Sequence, residues 1–139
     1  MSKTLTKDWI TEELQKSNLE KINIGNLMKG LDSEGANMPP YSNADYANFK
    51  TSINPSNRGF WDLRLSGQYH RGITYRVYGA NVFFSQKYNN EKIQWLEERL
   101  AFYNKIPLGI TDEQFYKVQL DNKPIIKRKL VNYINNGHS

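Results

Sequence analysis

Apolar positions at helical spacing open the chain. Ile10 and Leu14 lie one turn apart with Trp9 beside them, while Glu12, Glu13 and Lys16 face water, which predicts an N-terminal helix. A second short helix is expected from about Ile22 to Lys29, carrying Ile24, Leu27 and Met28, with Gly30 where a C-cap belongs. Asn26, a polar residue inside that stretch, leaves its boundaries open.

From Leu31 to Gly59 the periodicity breaks. The run LDSEGANMPPYSNADYANFKTSINPSNRG is rich in Gly, Pro, Ser and Asn and keeps neither a helical nor a strand period. Loops of that length are uncommon in compact domains and are usually functional or disordered. Met38, Tyr41, Tyr46 and Phe49 argue against disorder, since disordered segments are poor in such residues. The expectation is an ordered arm at about 32–59 that packs on something, with one or two helical turns between Asn43 and Lys50.

Strict alternation follows. In GITYRVYG, Ile73, Tyr75 and Val77 alternate with Thr74, Arg76 and Tyr78; Gly79-Ala80-Asn81 supplies a tight turn into NVFFSQ, predicting a β-hairpin. Phe60 to Leu65 is expected to add a third short strand, with Leu63 and Leu65 on one side. The helical period then returns. Asn89 or Asn90 caps a helix through about Tyr103 with Ile93, Leu96, Leu100 and Tyr103 as its stripe, ended by Pro107-Leu108-Gly109. Thr111 and Gln114 match a capping box opening a short helix through about Leu120. A last helix starts around Pro124, which a first turn tolerates, and presents Ile126, Leu130, Tyr133 and Ile134 on one face. The fold class is therefore α+β: N-terminal helices, a long ordered arm, a small antiparallel hairpin or three-stranded sheet, and C-terminal helices, in one domain spanning 1–139.

Composition narrows the function classes. The 139 residues are 38% hydrophobic and 24% charged, as in a globular chain with a modest core, and no window reaches the roughly 18 apolar residues of a membrane span. The start, MSKTLTKDWITEELQ, lacks the apolar stretch of a secretory signal. With no cysteine, disulfide scaffolds, thiol enzymes and Cys-based metal sites are excluded. Nine Tyr, six Phe and three Trp fit either core packing or an interface rich in aromatic anchors.

Catalytic chemistry finds little purchase. Of the two histidines, His138 is next to last, and His70 in GQYHRGI has no local carboxylate, so a surface or turn position is expected for it. DSEG lacks the twelve-residue calcium pattern, the adjacent Glu97 and Glu98 point apart on a helix, and no phosphate-cradling glycine motif occurs. The expectation is a non-enzymatic protein without metal or cofactor. Lys123, Lys127, Arg128 and Lys129, with no acid after Asp121, form a modest positive stripe, a candidate nucleic-acid contact or simply a solvated helix face. The formal charge of +5 is compatible with both.

Two stretches carry a resemblance. In NIGNLMKGLDSEGANMPPYSNADYANFK, Asn26, Gly30, Leu31, Asp32 and Gly35, then Pro40, Tyr41, Ser42, Tyr46 and Lys50, resemble a segment of small virion proteins of tailed phages, especially those of Bacteroidetes hosts including crAss-like phages. DLRLSGQYHRGI is similar to an Asp-Leu-x-Leu-Thr-Gly-x-aromatic element of the same proteins, with Ser66 for the usual Thr, and to an element preceding a strand pair in tail-completion proteins. Gln68 and His70 depart from the commoner residues. The likeness spans about residues 24–120. It implies a virion protein made in the host cytoplasm, a structural subunit of a head–tail connector or tail ring beside portal, connector or tail proteins. On that reading Tyr41, Tyr46, Phe49 and Trp61 make protein contacts, Asp32, Gly35 and Pro40 shape the arm, and Gly67 serves the turn before the hairpin. The alternative is a nucleic-acid-binding accessory protein using the basic C-terminal helix.

Overall fold

The computed structural model of the chain describes residues 3–64, 67–79 and 81–137. Its order is α1 (Lys3–Lys16), α2 (Leu19–Met28), α3 (Ala44–Ile53), α4 (Gln68–Arg71), β1 (Ile73–Tyr78), β2 (Asn81–Gln86), α5 (Glu91–Phe102) and α6 (Asp112–Asn135). The fold is α+β, helices flanking one antiparallel hairpin.

The hairpin is the floor of the core. It pairs Ile73 with Gln86, Tyr75 with Phe84 and Val77 with Val82, and the inward residues of β1 split between two apolar clusters. Ile73 packs with Leu27, Met38, Tyr69, Ile93 and Leu100, while Tyr75 and Val77 pack with Leu14 and Leu19; Phe84 touches both groups. The single proton of the Tyr75 hydroxyl is shared between the carbonyls of Leu14 and Gln15 (2.9 and 2.8 Å), tying β1 to the end of α1.

The helix signals at α2, α5 and the start of α6 hold. α2 begins three residues before the expected Ile22 and ends in a Schellman motif: Leu31 N–H donates to Asn26 O and Gly30 N–H to Leu27 O, both at 2.9 Å. Gly30 has φ +74° there, and a β-carbon on it would lie 2.7 Å from Phe60 Cβ, so both backbone and packing demand glycine. Asn90 caps α5 through Ile93 N–H, and Thr111 and Gln114 form the expected capping box.

Four expectations are corrected. Within the ordered segment at 32–59, the one or two helical turns expected between Asn43 and Lys50 are a ten-residue helix, α3, capped by the Asn43 side chain, and Met38 packs into the core. Polar side chains folding back on the backbone replace periodicity there; Asp32 Oδ1, for instance, accepts from Glu34 and Ala36 N–H at 2.9 Å. There is no third strand from Phe60, because Phe60 makes one isolated bridge to Pro40 and Leu63 turns to φ +58°, which ends any extended run; Leu65, like Ser66, Ala80 and His138, lies outside the described residues. His70 is buried rather than at the surface.

The fourth correction is that the two expected C-terminal helices are one, Asp112–Asn135, with Pro124 inside it. Pro124 removes the N–H that would bond the carbonyl of Leu120, an exposed residue, and contacts with α1 hold the helix together across the gap. Asn122 donates to Ser17 Oγ (3.0 Å), Lys129 pairs with Glu13 (3.0 Å), and Trp9 meets Tyr133 edge-on at 5.9 Å. Pro124→Ala is expected to raise stability, by up to about 3 kcal/mol, read as a higher urea midpoint with unchanged slope.

Candidate interaction surface

The segment between α3 and α4 is organised around one carboxylate. Asp62 is 0% exposed and Lys50, from the last turn of α3, is 2% exposed; Lys50 Nζ lies 2.8 Å from Asp62 Oδ1 and also donates to the Arg64 carbonyl. Asn54 and Asn57 donate to Asp62 Oδ2 at 2.8 and 3.0 Å, Arg64 N–H donates to Oδ1 at 3.0 Å, and the Tyr41 hydroxyl reaches Oδ1 at 3.5 Å. The two asparagines also donate to the Met28 and Phe60 carbonyls, and His70 Nε2 sits 2.7 Å from the Asp62 carbonyl, so this nitrogen carries the proton. Among the described residues no buried side-chain nitrogen or oxygen is left without a partner.

The electrostatics follow. Burial alone raises the Asp62 carboxyl, but the hydrogen bonds from Lys50, Asn54, Arg64 N–H and Asn57 outweigh it and hold it below its ordinary value. Burial pushes His70 toward the neutral form. Burial, then the Asp62 charge, drives Tyr41 far up, so it stays a phenol and a donor. These groups are committed to holding the backbone. Among the described residues no group of three or more His, Asp or Glu is placed to hold a metal ion.

Above the carboxylate lies an aromatic cleft. Tyr41 meets Tyr46 edge-on at 5.2 Å along one wall, and Tyr46 is backed by the exposed Phe49 at 6.2 Å. Trp61 meets Tyr103 at 6.2 Å along the other, and Tyr103 is backed by the exposed Phe102 at 5.4 Å. Trp95 of α5, 53% exposed and with the Arg99 guanidinium 5.4 Å from its ring, stands between them. Two adjoining grooves, of about 290 and 690 Å³, share Tyr41, Tyr46, Trp61 and Trp95. Their lining includes the cations Arg64, Lys92 and Arg99, and the carboxylate among it is Asp62, already paired with Lys50.

The structure thus brings together Tyr41, Tyr46, Phe49 and Trp61, the four aromatic residues singled out in the sequence. Asp32, Gly35 (φ +82°) and Pro40, bridged to Phe60, shape the turn leading to them, and Gly67 (φ +79°) opens α4 before the hairpin. The basic stripe is elsewhere and only partly free. Lys123, Lys127 and Arg128 are exposed on α6, whereas Lys129 is half-buried and ion-paired with Glu13 (3.0 Å) and Glu12 (3.7 Å). Sequence reasoning missed Trp95 and Arg99. Their signal was present: Trp95 falls off the stripe of Ile93, Leu96 and Leu100, a large aromatic on the polar side of an amphipathic helix.

Comparison with known proteins returns no family model, no curated protein and no solved structure that matches this chain. No helix among the described residues is long and apolar enough to cross a membrane.

Proposed function

We propose that this chain is an assembly protein, working through protein–protein contact rather than catalysis, and that its setting is the head–tail connector or tail ring of a tailed phage virion. The observation that carries the assembly reading is the cleft: aromatic anchors from α3, α5 and the 61–64 turn converge on one surface, with Tyr46, Phe49 and Trp95 exposed. Buried aromatic anchors in pockets dominate interface energies, and unpaired ones of this number seldom crowd one face without a partner. The virion setting rests on the sequence resemblance.

A ring needs two unlike faces on each protomer. The cleft is one. The exposed face of the hairpin offers the other, where Tyr78 and Phe83 meet edge-on at 5.8 Å in open solvent. Native mass spectrometry of the full chain is expected to show a closed oligomer that Tyr46→Ser/Trp95→Ser and Tyr78→Ser/Phe83→Ser each reduce to folded monomers. A wild-type chain that stays monomeric at high concentration refutes the ring. Absence of the protein from purified particles, quantified against the portal protein, refutes the virion setting.

The nucleic-acid reading retains Lys123, Lys127 and Arg128, exposed on one helix. Three phosphate contacts give a salt slope of only about −3, and affinity for duplex DNA that falls more steeply than this would bring other cations into play.

A further inference from the structure

The long helix α6 has two faces. One packs on α1 and the core through Phe115, Val118, Asn122 and Lys129. The other carries Tyr116, Leu120, Lys123, Lys127, Leu130 and Ile134, spaced 4-3-4-3-4, which is the core spacing of a coiled-coil seam. Among the described residues no helix packs opposite this seam: Tyr116, Leu120, Lys123, Lys127 and Ile134 are exposed and Leu130 is half-buried. It borders a groove of about 390 Å³ between α6 and α1 that Ile10, Leu120, Ile126 and Leu130 line with apolar surface, flanked by Lys123 and Lys127.

The charges select the occupant. Lys123 and Lys127 sit at the middle of the seam, and among the described residues neither has an ion pair or hydrogen bond. Paired with a second copy of α6, parallel or antiparallel about the seam's centre, four ammonium groups meet in the apolar interface, which like-charge repulsion and desolvation oppose. The helix's own acids offer no relief. Glu113 lies ten residues before Lys123, about 15 Å along the axis, and Asp121 points well away from the seam. A helix with acidic residues at the two facing core positions satisfies both lysines and buries the apolar ends.

We propose that the α6 seam, with the adjoining α1 groove, docks an amphipathic helix of a different protein that carries apolar heptad positions at its ends and Asp or Glu at the two core positions opposite Lys123 and Lys127. The surface is separate from the aromatic cleft and stands or falls without it.

Two synthetic helical peptides of about four heptads test it, identical except for Glu or Lys at the two central core positions. Titrated at about 0.15 M salt into the full chain, the Glu peptide is expected to bind at least about tenfold tighter than the Lys peptide. Lys123→Glu/Lys127→Glu, two exposed substitutions that leave the circular dichroism spectrum intact, is expected to reverse the preference; Lys123→Gln/Lys127→Gln is expected to abolish it. Equal affinities, binding of neither peptide, or a preference untouched by the charge reversal overturns the proposal. So does a duplex of about 20 base pairs that binds more tightly than the Glu peptide and is lost on the same reversal, which assigns the face to phosphate.

Discussion

Asp62→Ala is expected to cost about 3–5 kcal/mol, a large share of the roughly 5–15 kcal/mol that holds a domain together. The substitution leaves Lys50 charged in a site where it is 2% exposed, and strips acceptors from Asn54, Asn57 and Arg64 N–H. Lys50→Met is expected to cost less, because Asp62 keeps its three strong donors. The double substitution Lys50→Met/Asp62→Ala is expected to fall well short of the sum of the single effects, since much of each is the penalty of a lone buried charge. Urea denaturation of the four chains measures all of this.

The same cluster sets the acid response, in two stages. His70 is held neutral by burial, so its contribution is complete above about pH 6.5 and is lost as pH falls through its lowered folded value. Asp62 is held below its ordinary value, so its contribution is complete above about pH 4 and is lost as pH falls through that lower value. Urea midpoints are expected to decline first below about pH 6.5 and again below about pH 4. His70→Gln is expected to remove the first decline and keep the second.

Asn23→Ala is the second large effect, about 2–6 kcal/mol. Asn23 is fully buried in α2; its Nδ2 donates to Pro107 O (2.8 Å) and its Oδ1 accepts from Gly109 N–H (2.9 Å). Alanine leaves two buried backbone groups unpaired, each worth about 1–3 kcal/mol. Those groups lie just before the Thr111 cap of α6, so hydrogen exchange at Gly109 and in the first turn of α6 is expected to accelerate together. Asn26, one turn along, exchanges two 2.8 Å hydrogen bonds with Gln114, whose Oε1 also accepts from Thr111 N–H. Asn26→Ala is milder, because the capping box keeps its own bonds.

Local rules made half of the fold readable. Alternation located β1 and β2, and caps located α5 and the start of α6, because in each the decisive contact lies within a few residues. The burial of the polar residues of α2 and of the 31–64 segment was not legible in the same way. Asn23, Asn26, Lys50, Asn54 and Asn57 look solvated by type, yet each is buried because a partner distant in sequence or a backbone group completes it. Pro124 misled in the opposite sense: its effect on a helix is local, but the ties to α1 that override it come from Trp9, Glu13 and Ser17. At the candidate site, Tyr41, Tyr46, Phe49 and Trp61 stood out as aromatics in a polar run. Trp95 was hidden by a helix whose apolar stripe drew attention to its other side.

The wiring of Asp62 also constrains the order in which the chain folds. Apart from the Asn54 bond to Met28, its ring of partners lies between residues 41 and 70, so closing these loops costs little entropy. A chain that collapsed its apolar clusters first would trap Lys50 or Asp62 out of water without a counter-charge, a state several kcal/mol uphill. A route that brings α3 and the 54–64 turn together while both are still wet avoids that state, so Asp62→Asn is expected to slow refolding from urea more than it speeds unfolding.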